Sequence, residues 1–429
     1  VNYEQALRHL QQHINLEAKA GRWDGLSLDR MRALVHAMGD PHLAYPVIHV
    51  TGTNGKGSTT LMITELLKAR GLRVGTYTSP HLERINERIR IDGEPVDDAS
   101  FAAAVEAVAG LEALVDGPVS HFELLTAAAF GWFAESAVDV AVVEVGLLGR
   151  WDATNVVEAA VAVITNIGRD HTDGVGDWRR AIASEKAGII KPGSTLVLGE
   201  TAAELRDVFY AEAPEQVFER GVHFGASDNL VAVGGRVVDL RGPYGRYDEV
   251  FVALNGEHQA DNAAIALAAA EAFFGTAIED DLVREAFAAV RVPGRFEILH
   301  RHPLVVVDAA HNPDGARVAT RTLDDFGSSR RRVLVLGLLQ GRDIAEMLES
   351  LEARRADTVI VCEADWPRRI PAEEIAAVAS AMDISVEVVR DVGDAVHRAL
   401  AVAEDEDVVL VTGSNYVIGP ARHVLTALA

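Results

Sequence analysis

A lysine set between two glycines, Lys56 in Thr51-Gly-Thr-Asn-Gly-Lys-Gly-Ser58, is where residue type and spacing first point to chemistry. Glycines let a backbone turn tightly enough to aim consecutive N–H groups at one anion, a following helix start adds partial positive charge, and a lysine reaches terminal phosphate oxygens. Thr53, Asn54, Gly55, Lys56, Gly57 and Ser58 are therefore read as a phosphate cradle. The usual pattern G-x-x-x-x-G-K-[ST] is broken twice, because Val50 stands where its first glycine belongs and Gly57 separates Lys56 from Ser58. Phosphate chemistry also needs a divalent cation, which takes carboxylate and hydroxyl oxygens. Ser58 or Thr59 supplies a hydroxyl. Glu144 closes Val140-Ala-Val-Val-Glu-Val145, an apolar run in which a carboxylate is costly without a cation or a hydrogen-bond partner. His171 ends Thr165-Asn-Ile-Gly-Arg-Asp-His171, just past another apolar run, where ligand sites of open α/β sheets gather. Plainer uses stay open for both, a salt-bridged glutamate and a hydrogen-bonded loop histidine.

Such residues work only when secondary structure carries them to one place. Short apolar runs alternate with alanine-rich helical stretches, the rhythm of a parallel sheet covered by helices, so the fold class is α/β. Val47–Val50, Val74–Thr78, Val138–Val145 and Ala159–Thr165 read as strands; Val1–Gln12, Ser58–Arg70 and Phe122–Glu135 read as helices. Gly199–Val252 is glycine-broken and β-rich, and Asp261–Phe274 returns to helix. Pro-Gly punctuation in Arg291-Val-Pro-Gly-Arg-Phe296 marks a boundary. A second series follows it at Leu304–Asp308, Arg332–Gly337, Thr358–Cys362, Ser385–Val389 and Asp407–Thr412. The expected architecture is a large N-terminal P-loop domain over residues 1–292 with a mostly parallel sheet, and a smaller C-terminal Rossmann-like α/β domain over 293–429.

Composition narrows the partners. Against 40 Lys+Arg stand 64 Asp+Glu, a formal net charge of -24 on 429 residues, which repels nucleic-acid phosphates and leaves no basic footprint to bind them. An anionic small molecule needs a locally positive pocket instead. The single cysteine, Cys362, excludes a disulfide framework and any cysteine-based zinc site. The apolar runs fall far short of the ~20 residues of a membrane helix, and Val1–Gln12 lacks the basic-then-apolar order of a secretory signal. A cytoplasmic protein without a membrane partner is expected, with a monomer favoured.

Across nearly its whole length the chain resembles the Mur-ligase superfamily of ATP-dependent amide ligases and, within it, the folylpolyglutamate synthase/dihydrofolate synthase family. Eleven motifs, taken in order, carry the resemblance. They are Thr53-Asn-Gly-Lys-Gly-Ser58, Thr78-Ser-Pro-His-Leu82, Asn86-Glu-Arg-Ile89, His121-Phe-Glu-Leu-Leu-Thr126, Glu144-Val-Gly146 and Asp152-Ala-Thr-Asn155, then Asp170-His-Thr172, Glu185-Lys-Ala-Gly-Ile189, Pro293-Gly-Arg295, Asp308-Ala-Ala-His-Asn-Pro313 and Thr412-Gly-Ser414.

The resemblance implies that Thr53 to Ser58 hold ATP phosphates, with Lys56 acting on the transferring phosphoryl group. It implies one Mg²⁺ on Ser79 and Glu144 and a second on His171. Lys186 matches a lysine that CO₂ converts to a carbamate; by its own setting it reads as a phosphate-binding or surface lysine. Asn262, Arg295 and Asp308 are implied in nucleotide binding, and His311 and Ser414 in glutamate binding. Gly25, Leu26, Ser27, Leu28, Ser120, His121, Phe122, Glu123, Trp151, Asp152 and Ala153 match the pterin side, where turn formation and core packing are the plainer uses. The implied reaction phosphorylates the carboxylate of a folate or dihydropteroate with ATP and then joins L-glutamate through its amine.

Some positions depart from that family's pattern. Gly146-Leu-Leu-Gly-Arg-Trp151 stands where Gly-Leu-Gly-Gly-Arg-Leu is common, so Leu148 and Trp151 add bulk on the pterin side. Arg169, Gln340-Gly-Arg342 and Asn415 are also unusual, and none touches the ATP machinery. Two alternatives remain on sequence grounds, a Mur-type ligase for a different carboxylate and a nucleotide-binding regulator without turnover.

Overall fold

The computed structural model describes residues 1–15, 17, 27–169, 176–327 and 330–428. Two compact units share the chain; the larger takes most residues before Ala253 together with Gln259–Arg291, and the smaller takes Leu254–His258 and the chain from Val292 onward.

In the larger unit, valine- and isoleucine-rich segments that can be buried on both faces become the strands of one sheet. In chain order they are β1 (Val47–Thr51), β2 (Val74–Tyr77), β3 (Ile89–Ile91), β4 (Glu94–Pro95), β5 (Val140–Glu144), β6 (Ala159–Ile164), β7 (Thr195–Leu198) and β8 (Gln216–Glu219). Their order across the eight-stranded sheet is β4-β3-β2-β5-β1-β6-β7-β8. Strand β1 pairs in parallel with both β5 and β6, and only β3 and β4 introduce antiparallel pairs. Val50 lies opposite Glu144, and Thr51 opposite Ile164. The loops leaving β1, β5 and β6 therefore start side by side at the carboxyl ends of the strands.

Helices bury both faces of this sheet. One core gathers Met31, Tyr77, Phe101, Phe130 and Phe133; another gathers Val145, Ile164, Ile182, Leu196 and Phe209. The helix after β1 spans Lys56–Ala69, two residues earlier than read from sequence, with Gly55 before it in the left-handed region at φ 81°. Glycine weakens a helix, which made Gly57 look like loop, yet the first helical turn has N–H groups without intrahelical partners and tolerates it. The β-rich stretch holds a short helix, Arg206–Tyr210, before three antiparallel strands, β9 (Gly225–Ala232), β10 (Gly235–Arg241) and β11 (Arg246–Val252).

The smaller unit carries β12 (Glu297–Arg301), β13 (Leu304–Asp308), β14 (Arg332–Leu336), β15 (Thr358–Val361), β16 (Glu387–Val388) and β17 (Val408–Thr412), ordered β12-β13-β17-β14-β15-β16. Strand β12 was not expected; it is a half-buried antiparallel edge strand with too few apolar residues to stand out. Ser385–Val389 keeps only two strand residues. Among the described residues no helix is long and apolar enough to cross a membrane.

Candidate active site

The loop read from sequence as a phosphate cradle is tied to the loop leaving β6. Thr53 N donates to Asn166 O at 3.0 Å, and Asn54 N to Asn166 Oδ1 at 3.0 Å. Asn54 O accepts from Thr165 Oγ1 at 2.7 Å and from Asn166 Nδ2 at 3.0 Å, while Gly168 N donates to Thr53 Oγ1 at 2.9 Å. Such ties fix the loop's shape, so less ordering entropy opposes the binding of an anion there. At Gly55, whose φ is +81°, a Cβ would sit 2.4 Å from Asn262 Oδ1, so the absence of a side chain lets that amide reach the loop.

Two lysines converge on one carbonyl. Lys56 Nζ donates to Gly52 O at 3.1 Å and to Thr53 O at 3.2 Å, and buried Lys186 Nζ donates to the same Gly52 O at 2.8 Å. Lys186 arrives on the last turn of the helix Trp178–Ala187. Buried Glu144 ends β5, and its Oε2 accepts from Ser79 N at 3.2 Å. A Cβ at Gly57 would lie 3.6 Å from Glu144 Oε2, which places this carboxylate against the first turn of the phosphate-loop helix. Ser79 and Glu144 thus offer hard oxygen donors beside a loop that can cradle phosphate, a set that suits Mg²⁺. His171, Gly25 and Leu26 lie outside the described residues.

The residues matched to a pterin side also hold the scaffold. Ser120 and Glu123 form a reciprocal cap at the start of His121–Glu135, and Glu123 accepts from Arg30 Nε at 3.0 Å. His121 N donates to Ile14 O at 3.0 Å, Ser27 Oγ donates to Asp29 Oδ2 at 2.7 Å, and Leu28 is buried in the core. The Phe122 ring covers the backbone of Gly146, where a Cβ would meet Phe122 Cζ at 2.4 Å. Asp152 is buried; its Oδ2 accepts from Leu147 N at 2.8 Å and its Oδ1 from Thr154 N at 3.0 Å. Burial raises the Asp152 carboxyl above the ordinary carboxylate range, opposed by the Thr154 hydroxyl and by those backbone donors. Ala153 is buried next to it, whereas Trp151 is 44% exposed and Leu148 takes left-handed backbone at φ 57°.

Sequence reading missed His49 and Thr154. Fully buried in β1, His49 places Nε2 2.9 Å from Thr154 Oγ1, and the Thr154 hydroxyl donates to Asp152 Oδ1. Since that hydroxyl has one hydrogen, His49 Nε2–H is the donor to it. Burial holds the His49 pKa down at about 3, with the positive charge of Lys191 acting in the same direction, so the ring is neutral. A second tie, Thr51 Oγ1 to Leu148 O at 2.6 Å, joins the end of β1 to the same loop. The available signal was a histidine inside an otherwise apolar strand.

In the smaller unit, β13 and β17 are parallel with Asp308 opposite Thr412, which brings Asp308, His311 and Ser414 to one carboxyl edge. Asp308 accepts from Phe296 N at 2.8 Å and from Ala310 N at 2.9 Å. Burial raises its carboxyl, partly countered by the charge of Arg295. His311 Nδ1 lies 3.0 Å from Ala309 O, and buried Ser414 Oγ accepts from Tyr416 N at 3.1 Å.

Two family models match the chain. The Mur ligase middle domain matches residues 108–270, and the Mur ligase glutamate ligase domain matches residues 294–415. The dihydrofolate synthase/folylpolyglutamate synthase of Mycobacterium tuberculosis is 40% identical, over 92% of this chain and 89% of that protein. A solved structure of the Mycobacterium tuberculosis folylpolyglutamate synthase complexed with ADP is similar with a TM-score of 0.92 and 38% identity, covering 99% of this chain and 98% of the other. A crystal structure of a bifunctional folylpolyglutamate synthase/dihydrofolate synthase with Mn, AMPPNP and L-glutamate bound has a TM-score of 0.85 and 31% identity, covering 100% of this chain and 98% of the other.

Proposed function

Because the chain belongs to the Mur ligase family and, within it, to the dihydrofolate synthases/folylpolyglutamate synthases, we propose that it is an ATP-dependent ligase that joins L-glutamate to folates and to dihydropteroate. A carboxylate is a poor electrophile. Transfer of the γ-phosphoryl group of ATP to one carboxylate oxygen gives an acyl phosphate and ADP. The α-amine of L-glutamate then attacks the acyl carbon, phosphate leaves, and an amide bond forms.

The single observation that best supports this reading is the meeting of Lys56 and Lys186 at Gly52 O, beside the buried carboxylate of Glu144. Lys56 is placed to offset charge on the transferring phosphoryl group, an electrostatic effect that needs no reorganisation when the loop is already tied down. Thr53 and Asn54 spend their backbone N–H groups on Asn166 and shape the loop, Gly55 to Ser58 turn theirs to the phosphates, and Asn262 fixes the loop at Gly55. Ser79 and Glu144 hold Mg²⁺, which when bound shields the phosphate charge. Arg295 and Asp308 are assigned to the nucleotide, and His311 and Ser414 to glutamate.

Lys186 is assigned a carbamate. Two ammonium groups on one carbonyl repel each other. When the neutral Lys186 amine attacks CO₂, an N–C bond forms, a proton leaves the nitrogen, and the side chain becomes an anion. One N–H remains for Gly52 O. The geometry with Lys56 then becomes attractive rather than repulsive.

The test is a panel of dihydropteroate, dihydrofolate and tetrahydrofolate, each given L-glutamate and Mg-ATP and read by mass spectrometry alongside ADP release. Glutamylated product in step with ADP is expected. ADP release without glutamylation of any of the three acids overturns the assignment. For the carbamate, activity should fall when CO₂ is stripped and return with bicarbonate, and Lys186→Ala should be inactive and partly rescued by acetate. An enzyme indifferent to CO₂ refutes that part alone.

A further inference from the structure

A second cluster of metal-ligating side chains lies on the N-terminal helix. His9 is on the helix Tyr3–Gln11, and His13 follows it one turn later, a spacing of four that puts both rings on one face. Glu112 comes from the turn after the helix Asp98–Ala109. His9 Nε2 is 2.6 Å from Glu112 Oε1 and His13 Nε2 is 2.6 Å from Glu112 Oε2. The ring centroids are 4.8 Å apart, and one ligand atom from each of the three residues lies within 4.8 Å of the others.

Hydrogen-bond direction shows what this cluster requires. His13 Nδ1 sits 2.8 Å from His9 O, and a carbonyl oxygen only accepts, so Nδ1 carries a hydrogen. In the neutral ring Nε2 is then a bare lone pair facing a carboxylate oxygen at 2.6 Å. Two acceptors hold that distance only with a proton between them, and a metal cation can take that place in exchange for the proton. An Nδ1–H bonded to a backbone carbonyl is also how ligating histidines are oriented, with Nε2 left for the metal.

We propose that His9, His13 and Glu112 bind one borderline divalent cation of the Zn²⁺ class. The donor set is two imidazole nitrogens and one carboxylate, which suits Zn²⁺ better than Mg²⁺ or Ca²⁺, and three protein ligands leave a fourth position for water. Side-chain exposures of 33% for His9, 19% for Glu112 and 11% for His13 leave a way in from solvent. Each Nε2···O pair has to widen from 2.6 Å to roughly 3.3 Å to seat a tetrahedral metal at bonding distances near 2.0–2.1 Å. The bound ion joins the N-terminal helix to the turn at Glu112. Ile14, next to His13, pairs with Ser120 as an isolated bridge, so the ion also anchors the chain leading to the Ser120 cap.

Chelator-treated full-length protein, held in saturating Mg²⁺, is titrated with Zn²⁺ by calorimetry and with Co²⁺ by visible absorption, and its Tm is recorded with and without Zn²⁺. The wild type should take up one equivalent more than His13→Ala or Glu112→Ala, show the intense bands of four-coordinate Co²⁺, and melt higher with Zn²⁺. His13→Gln, which keeps a hydrogen-bonding side chain, should fold and still lose at least tenfold in affinity. ADP formation should be unchanged in all three variants, showing that they are folded. Equal Zn²⁺ stoichiometry and an equal Tm response in wild type and His13→Gln overturn the proposal and leave the cluster as ion pairs.

Discussion

Replacing Thr154 with valine exchanges a hydroxyl for a methyl group of similar size and opens no cavity, so its effect isolates two hydrogen bonds. The first is the bond from the Thr154 hydroxyl to the buried Asp152 carboxylate, and a hydrogen bond to a charged group contributes about 1.5–3 kcal/mol. The second is the bond from His49 Nε2–H to Thr154 Oγ1; leaving that buried donor unsatisfied costs a further ~1–3 kcal/mol. The variant should therefore lose roughly 3–5 kcal/mol, a large share of the ~5–15 kcal/mol of a typical domain. Thr154→Ser keeps the oxygen and should recover most of it. Urea unfolding followed by far-UV circular dichroism measures both variants, with the midpoint falling and the slope unchanged. Since Asp152 also holds Leu147 N, the loop Gly146–Trp151 should loosen, raising KM for the pterin acid more than KM for ATP. A loss under about 1 kcal/mol, or Thr154→Ser no better than Thr154→Val, would refute the hydrogen-bond chain from His49 to Asp152.

Other perturbations separate chemistry from scaffold. Lys56 bonds only to loop carbonyls among the described residues, so Lys56→Met should fold normally while ADP formation falls by about 10²–10³, and wild-type turnover would remove the phosphate-loop assignment. The unfolded chain protonates His49 near 6.5, while the folded chain refuses that proton until about 3, so His49 makes unfolding easier as pH falls through this window. In His49→Gln, urea unfolding free energies measured across that window should depend less steeply on pH, and an unaltered slope would show that His49 is not held neutral. Because Trp151 is 44% exposed, Trp151→Leu should leave the Tm nearly unchanged and shift KM for the pterin acid severalfold; a lower Tm with unaltered pterin kinetics would assign it to packing.

What was legible in the sequence is what neighbouring residues decide among themselves. Alternating apolar runs and alanine-rich stretches imply an α/β fold, because backbone hydrogen bonds and side-chain burial repeat within each element. Glycines around Lys56 between a strand and a helix point to a phosphate loop, and Glu144 stood out because a carboxylate in an apolar run is costly without a partner. The strand order was not legible, since a run buried on both faces carries no preference for its neighbours; β5 comes to lie between β2 and β1 through tertiary packing alone. Lys186 reaches Gly52 across 134 residues, and His49 reaches Thr154 across 105, contacts that exist only once the parallel register has aligned the carboxyl ends of β1, β5 and β6. Ser120, Glu123 and Asp152 could be named as chemically able residues from their types. That they also cap a helix and hold a loop depends on which donors the fold places within 3 Å or so of their oxygens, and those donors are backbone groups whose positions no side-chain pattern records.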